Sequence, residues 1–250
     1  MRFIITFFLA EAAICANFEK SDPLSMSMGG LCVVLPGGSN PAWLAGFSRR
    51  EAAISAMNLY DTPGLYCGDA AVSLSFPSFG AGSGVSALSM DSIYREIEWA
   101  GGAGITLGRI RIGAAVNVSY MAFEGDYGSE VSPGFIAGVS LRLKGPLHAS
   151  AAIHESGCLA AGMGYLGKEL EAGLEFEYEE GFPLTVRFGQ EFMLFDCLAV
   201  RAGMSTEPLC FSFGIGLFWK GVCAESAIRT HLELGLNKSA GLRWKGPRKR

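Results

Sequence analysis

Large apolar side chains occupy every second position of the segment 209–220, which reads LCFSFGIGLFWK. The apolar positions are Leu209, Phe211, Phe213, Ile215, Leu217 and Trp219, and the positions between them are Cys210, Ser212, Gly214, Gly216, Phe218 and Lys220. Successive side chains of a strand point to opposite sides of it. A period of two over the whole segment therefore predicts a β-strand with one large apolar face.

The same alternation returns along most of the chain. It is clearest in the segments 110–122, 135–144, 169–179, 183–194 and 232–244. Shorter or less regular candidates are 51–60, 68–77, 83–90, 97–108, 147–154, 158–166, 197–205 and 222–231. Turn-forming pairs such as Gly145-Pro146 and Lys220-Gly221 separate these segments. Together they predict an all-β chain of about fourteen strands, with twelve as the alternative count.

Strand length and face composition separate two all-β classes, a soluble domain and a transmembrane antiparallel β-barrel. Strands average about 5 to 6 residues in soluble proteins, whereas membrane-spanning strands need about 9 to 11. The clearest segments here run 10 to 13 residues. In several strands the second face carries Gly, Ser, Ala or Cys with an occasional Arg or Glu, which suits a confined lumen. We predict the transmembrane barrel, because backbone groups in lipid must all be paired.

Composition agrees with this prediction and excludes other classes. Hydrophobic residues make up 50% of the chain and charged residues 18%, yet no uninterrupted apolar run is long enough for a transmembrane helix. The formal net charge of −4 gives no broad basic surface for nucleic acid. The basic residues of the segment 245–250 are interpreted as a solvated tail. The expected surroundings are therefore outer-membrane lipid and not nucleic acid.

The N-terminus has the pattern of a secretory signal peptide. Arg2 supplies a positive charge, residues 3–9 are apolar, and Ala16 is a small residue suited to cleavage. Residues 1–16 are therefore predicted to direct export. Cys15 raises the alternative of a lipoprotein, but Ile14 is bulky for the residue that precedes a lipidated cysteine.

Removal of the signal would leave six cysteines, an even number that permits disulfides in an exported chain. Cys197, Cys210 and Cys223 recur every 13 residues, once per predicted strand. A tight turn at Glu207-Pro208 places Cys210 opposite about residue 205, and a turn at Lys220-Gly221 places Cys223 opposite about residue 218. Consecutive members of the series are thus out of register, and we interpret them as small wall residues.

An irregular apolar segment, 27–47, lies between the signal and the first predicted strand. It contains Met28-Gly29-Gly30 and Asn40-Pro41-Ala42, followed by Trp43-Leu44-Ala45. With the fourteen strands that follow, this order of motifs resembles the FadL-like outer-membrane proteins, and especially their PorV/PorQ-type branch. Those proteins open with a Met-Gly-Gly-Ala-like stretch and then an Asn-Pro-Ala-Gly-Leu-Ala-like stretch. Trp43 stands where the family has glycine.

The resemblance implies an outer-membrane barrel that passively moves hydrophobic small molecules such as fatty acids. It also implies that residues 17–50 form a plug or inner brace, that residues 51–244 form the barrel and that residues 245–250 form a tail. The motif residues of the plug would be Met28, Gly29, Gly30, Asn40, Pro41 and Ala42. The alternative is a PorV-like barrel that works as a partner of secretion-system proteins in secretion or surface assembly, without transport of its own.

Charged residues on the small-residue faces are the remaining candidates for function. Glu169, Glu171, Glu175 and Glu177 share one face of a predicted strand, and basic residues lie on strands that follow. The candidate lumen charges are Glu169, Glu171, Glu175, Glu177, Arg187, Arg201, Arg229 and Arg243. They favour a packed internal charge network over a cation-attracting strip. His154 and Ser156 have no identifiable orienting partner, so we expect no enzymatic activity, no cofactor and no metal site.

Overall fold

Fourteen antiparallel strands close into a barrel in the computed structural model, which describes residues 21–91, 93–124 and 128–246. The strands are β1 Arg49–Asn58, β2 Leu65–Ser75, β3 Phe79–Met90, β4 Tyr94–Leu107, β5 Ile110–Phe123, β6 Ser129–Arg142, β7 Leu147–His154, β8 Leu159–Leu166, β9 Leu170–Tyr178, β10 Thr185–Leu194, β11 Leu198–Thr206, β12 Leu209–Trp219, β13 Val222–His231 and β14 Gly235–Lys245. Each pairs with its neighbours in sequence, and β1 pairs with β14 to complete the ring. The predicted barrel and its strand number are confirmed.

The apolar face of each strand points outward. On β12, Phe211 and Leu217 are about half exposed, whereas Cys210 and Ser212, which alternate with the apolar residues, are buried in the interior. Most other strands repeat this arrangement of large apolar side chains outside and small or polar side chains inside. Such an inside-out distribution fits a barrel whose outer surface contacts hydrocarbon. Within the described residues, no helix has the length and apolar character that crossing a membrane requires.

The two ends of the barrel differ in their connections. We call the end where β1 begins and β14 finishes the terminal end, and the opposite one the far end. The two longest connections, 59–64 and 179–184, both lie at the far end. Outer-membrane barrels have short turns on the periplasmic side and longer loops outside.

Residues 21–48, which we call the inner segment, lie inside the barrel and follow its wall. The segment begins beside β14 and β2, where Ser21 forms hydrogen bonds with Ser239 and Asp69. A short helix, α1 (Pro23–Ser27), then packs against β11 to β14. Proline opens this helix, and the Asp22 side chain accepts a hydrogen bond from the Ser25 amide.

The inner segment then continues around the wall in the direction of decreasing strand number. Val33 packs against Ala152 of β7 and Ala160 of β8. A 3₁₀ helix, Pro41–Leu44, packs against β2 to β6. The Phe47 amide finally donates to Ser75 Oγ of β2 over 3.1 Å. The segment has thereby made one circuit of the interior.

Glycines of the wall allow this close approach. A Cβ atom at any of them would collide with atoms of the inner segment. These wall glycines are Gly80, Gly104, Gly113, Gly138, Gly164, Gly173, Gly189, Gly203 and Gly214. Gly29 allows the same close approach from the side of the inner segment. It has a φ of +75° and lies against the Phe188 carbonyl. At most of these positions, backbone thus packs directly on backbone.

Several sequence predictions concern residues beyond the described ranges. The signal peptide at 1–16, residues 17–20 of the expected plug and residues 247–250 of the tail all lie outside them. The six cysteines of the described residues are free thiols. Cys210 pairs with Ser205 and Cys223 with Phe218, so the predicted register of this cysteine series is confirmed.

Candidate functional site

A buried carboxylate fastens the inner segment to the wall. Glu175 of β9 has no solvent exposure, and its Oε2 accepts hydrogen bonds from the amides of Cys32, Val33 and Val34 at 3.2, 2.8 and 3.3 Å. Three successive amides around one oxygen form a local anion site. The Sγ of Cys32 also donates to Glu175 Oε1 over 3.1 Å. A side chain of the wall therefore accepts the hydrogen bonds of these irregular backbone amides.

Arg187 of β10 compensates this buried charge. Its guanidinium lies 3.3 Å from Glu175 Oε1 and makes two bonds of 2.5 and 2.7 Å to Glu177. Both glutamates and the arginine were among the candidate lumen charges. Cys32, Glu175 and Glu177 have ligand atoms within 4.8 Å of one another, as a metal site would need. Arg187 and the three amides already use the carboxylate oxygens, so the geometry is that of an ion pair.

A second ion network joins β10 to β1 through the interior. Arg201 bridges Glu191 at 2.5 Å and Glu225 at 2.8 Å. Arg243 continues from Glu225 at 3.1 Å to Glu51 at 2.9 Å. Arg243 also binds Asp22 of the inner segment at 2.5 Å. Every one of these charges has an opposite partner, as a closely packed interior requires.

The remaining candidate lumen charges differ in their surroundings. Glu169 is exposed in the turn before β9, and Glu171 is half buried on β9, opposite Glu191 of β10. Arg229 is buried on β13 and donates to Ser205 Oγ over 3.1 Å. Alternation in the sequence assigns all of these residues to lumen-facing sides of their strands, but it does not reveal which of them form ion pairs.

The motif residues of the inner segment have identifiable contacts. Met28 is buried, and its carbonyl lies over Gly189 of the wall. Asn40 is also buried and donates to the carbonyls of Val139 and Ala151 at 3.3 and 3.4 Å. Asn40 Oδ1 accepts from the Ala42 amide and so caps the 3₁₀ helix that Pro41 begins. Asn40 therefore begins the 3₁₀ helix and holds this part of the inner segment against β6 and β7.

A cavity of about 570 Å³ lies between the inner segment and β1 to β4. Its lining extends along the whole of β1, from Arg49 and Glu51 at the terminal end to Leu59 and Tyr60 at the far end. The inner faces of these strands contribute mainly small residues, namely Ala53, Ser55, Ala71, Ser73, Gly82, Gly84, Ser86, Ala100 and Gly102. Apolar side chains of Leu44, Leu65 and Leu88 complete the wall. The sequence predicted small inner residues but not that they would border open space.

The carboxyl groups of Asp69, Glu96 and Glu98 line this cavity. Glu96 of β4 is 5% exposed, and Tyr94 Oη donates to its Oε2 over 2.7 Å. Arg49 and Arg243 also line the cavity, but both are already bound to Glu51. The cavity thus combines a mostly small and apolar wall with several acidic residues, and both of its arginines are paired with Glu51.

Comparison with known proteins supports the architecture. No family model matches the sequence, and neither does any curated protein. Among solved structures, the toluene transporter TodX of Pseudomonas putida has a TM-score of 0.66 at 12% identity, covering 88% of this chain and 96% of TodX. The outer membrane protein Omp33 of Acinetobacter baumannii has a TM-score of 0.55 at 10% identity, covering 79% of this chain and 97% of Omp33. The similarity establishes the fold of outer-membrane barrels.

Proposed function

We propose that this chain is an exported outer-membrane barrel that lets small hydrophobic molecules cross passively. The observation that carries the proposal is the cavity beside the inner segment, whose lining follows β1 from one end of the barrel to the other. Its wall is lined mainly by small and apolar residues, as binding sites for apolar ligands are. TodX, which shares the barrel fold, is a toluene transporter, and this class of function is consistent with the proposal.

Orientation follows from the loops and the chain ends. Connections at the terminal end are two to four residues long, whereas the longest connections, 59–64 and 179–184, lie at the far end, so we assign the terminal end to the periplasm. The inner segment then acts as a brace that narrows the lumen and leaves the passage along β1 to β4. The FadL-like resemblance predicts such an inner element, and membership in the PorV/PorQ-type branch stays a prediction.

Charge within the cavity favours uncharged molecules over fatty acid anions. A carboxylate that entered would meet the acidic residues Asp69, Glu96 and Glu98, while Arg49 and Arg243 are already paired with Glu51. Like charges in a region of low dielectric repel strongly. We therefore place neutral apolar compounds first and fatty acids second within the proposed class.

Narrowing the cavity tests the proposal. Ala100 lines it from β4, whereas Ala103 of the same strand is exposed on the outer face and does not line it. We expect Ala100→Trp to reduce uptake of a small aromatic hydrocarbon into proteoliposomes by about tenfold, and Ala103→Trp to leave uptake unchanged. Heat-modifiable gel mobility verifies that both variants fold.

Wild-type uptake no faster than in protein-free liposomes would contradict the proposed passage. That result would favour the alternative, a barrel that serves as a partner of secretion-system proteins without transport of its own.

A further inference from the structure

A row of polar side chains crosses four strands on the terminal side of the wall glycines. Thr106 of β4 pairs with Arg111 of β5, Arg111 pairs with Ser140 of β6, and Ser140 pairs with Ser150 of β7. Directly opposed residues of adjacent strands lie about 5 Å apart. His148 lies two residues before Ser150, on the same face of β7. We call these five residues the anion row.

Each member of the row has a buried polar atom without a hydrogen-bond partner among the described residues. These atoms are Thr106 Oγ1, Arg111 Nη1, Ser140 Oγ, Ser150 Oγ and His148 Nδ1. Ser140, His148 and Ser150 are only 1, 5 and 6% exposed. More than nine in ten buried polar groups in proteins are bonded, so a cluster of five such atoms on four adjacent strands points to a ligand that several of them would bind.

The charge at the row identifies the chemistry of that partner. Arg111 forms no ion pair in the described part of the chain, in contrast to the buried arginines of the two ion networks. Its guanidinium lies 4.9 Å from the ring of Trp43 and 4.7 Å from that of Phe47. The charged side chain that acts on it is Arg142, which has the same sign. The site is therefore positive, and no residue of the ranges that the structure describes provides a counter-ion.

We propose that the anion row binds an oxyanion, either free or carried as the head group of a larger molecule. Guanidinium, hydroxyl and imidazole groups can all donate hydrogen bonds, and a phosphate or carboxylate can accept several at once. Arg111 is half exposed and Arg142 is exposed at the edge of the barrel, so the anion reaches the row from the terminal end.

This site is separate from the proposed passage, because no residue of the row lines the cavity. Trp43 lies between the two. It lines the cavity, and its ring contacts Arg111 and lies 5.3 Å from that of His148. Anion binding and passage can thus be measured independently.

Calorimetric titration of the detergent-solubilised full protein with inorganic phosphate at low salt tests the proposal. We expect saturable binding, weakened about tenfold or more by Arg111→Gln, because a charge-assisted hydrogen bond contributes about 1.5–3 kcal/mol. Arg109→Gln is the matched control. It removes a positive charge from the adjacent exposed turn and should change affinity less than twofold.

Two further variants separate binding from folding. Arg111→Lys keeps the charge but not the planar set of donors, so we expect an intermediate affinity. Ser140→Ala removes one hydroxyl and should weaken binding a few-fold. Absence of saturable binding, or equal losses in Arg109→Gln and Arg111→Gln, overturns the proposal.

Hexyl phosphate in the same titration distinguishes the source of the anion. Equal affinities for hexyl phosphate and inorganic phosphate identify a free anion as the ligand. Binding of hexyl phosphate at least about tenfold tighter, and lost in Arg111→Gln, identifies the head group of an amphiphile. The uptake assay with Ala100→Trp is unaffected by either result, so the proposed passage and the anion site fail independently.

Discussion

At the scale of single residues, Glu175 shows how an irregular segment can be held inside a barrel. The amides of residues 32–34 cannot join the sheet, and one wall carboxylate satisfies all three. Alternation in the sequence places Glu175 on a charged strand face and Arg187 on the following strand. In the structure the two side chains lie 3.3 Å apart. The sequence could not reveal the contact with Cys32, because nothing in the alternation of β9 points to a partner more than a hundred residues away.

Removing this carboxylate should loosen the inner segment. Glu175→Ala removes one ion-pair partner of Arg187 and leaves three buried amides without their hydrogen-bond acceptor. We therefore expect the free energy of unfolding to fall by about 3 kcal/mol or more. Urea titration in detergent measures this change, and limited proteolysis should show earlier cleavage within residues 21–48. Glu169→Ala, at an exposed turn, should change stability by no more than about 0.5 kcal/mol. Equal behaviour of the two variants would contradict the anchoring role.

At the scale of elements, the period of two was sufficient for the strands and for part of their register. The turn at Glu207-Pro208 predicts Cys210 opposite residue 205, and the structure pairs it with Ser205. Alternation defines which face of a strand is which, but not what lies against that face. Alternation therefore identifies the wall glycines only as small residues that face the lumen. Their function became visible once the circuit of the inner segment was known.

A wall glycine should accordingly be intolerant of a side chain. A Cβ at Gly113 would collide with the backbone of Pro41, whereas a Cβ at Gly68 would meet only the Ser55 carbonyl at 3.5 Å. We expect Gly113→Val to destabilise the barrel by about 1–3 kcal/mol and to expose the inner segment to protease, because overpacking forces backbone shifts. Gly68→Val should do neither. A protease-resistant Gly113→Val variant would show that the segment does not pack closely on β5.

At the scale of the whole molecule, the direction of the apolar faces decides between the two all-β classes. Strand length and face composition favour the membrane barrel, but alternation by itself does not, because a soluble domain can also carry large residues on one face of each strand. In the structure the strands close into a barrel with Phe211 and Val116 on the outside and Arg201 on the inside. The apolar faces therefore point outward, as they do in a membrane barrel. The cavity and the anion row depend on which strands the inner segment leaves uncovered, and no periodicity encodes that.

A charge on the outer face is the sharpest test of this arrangement. Val116 lies in the middle of β5 and is 55% exposed, whereas Ile110 begins the same strand at the terminal end and is 42% exposed. In phospholipid vesicles, we expect Val116→Lys to lower the free energy of unfolding by about 2–4 kcal/mol and Ile110→Lys by about 0–1 kcal/mol, because the cost of a lysine depends on its depth in the bilayer. Urea unfolding followed by tryptophan fluorescence measures both. A soluble barrel would tolerate the two lysines equally, since water would solvate each of them, so a depth-dependent difference identifies the outer face as the surface that contacts lipid.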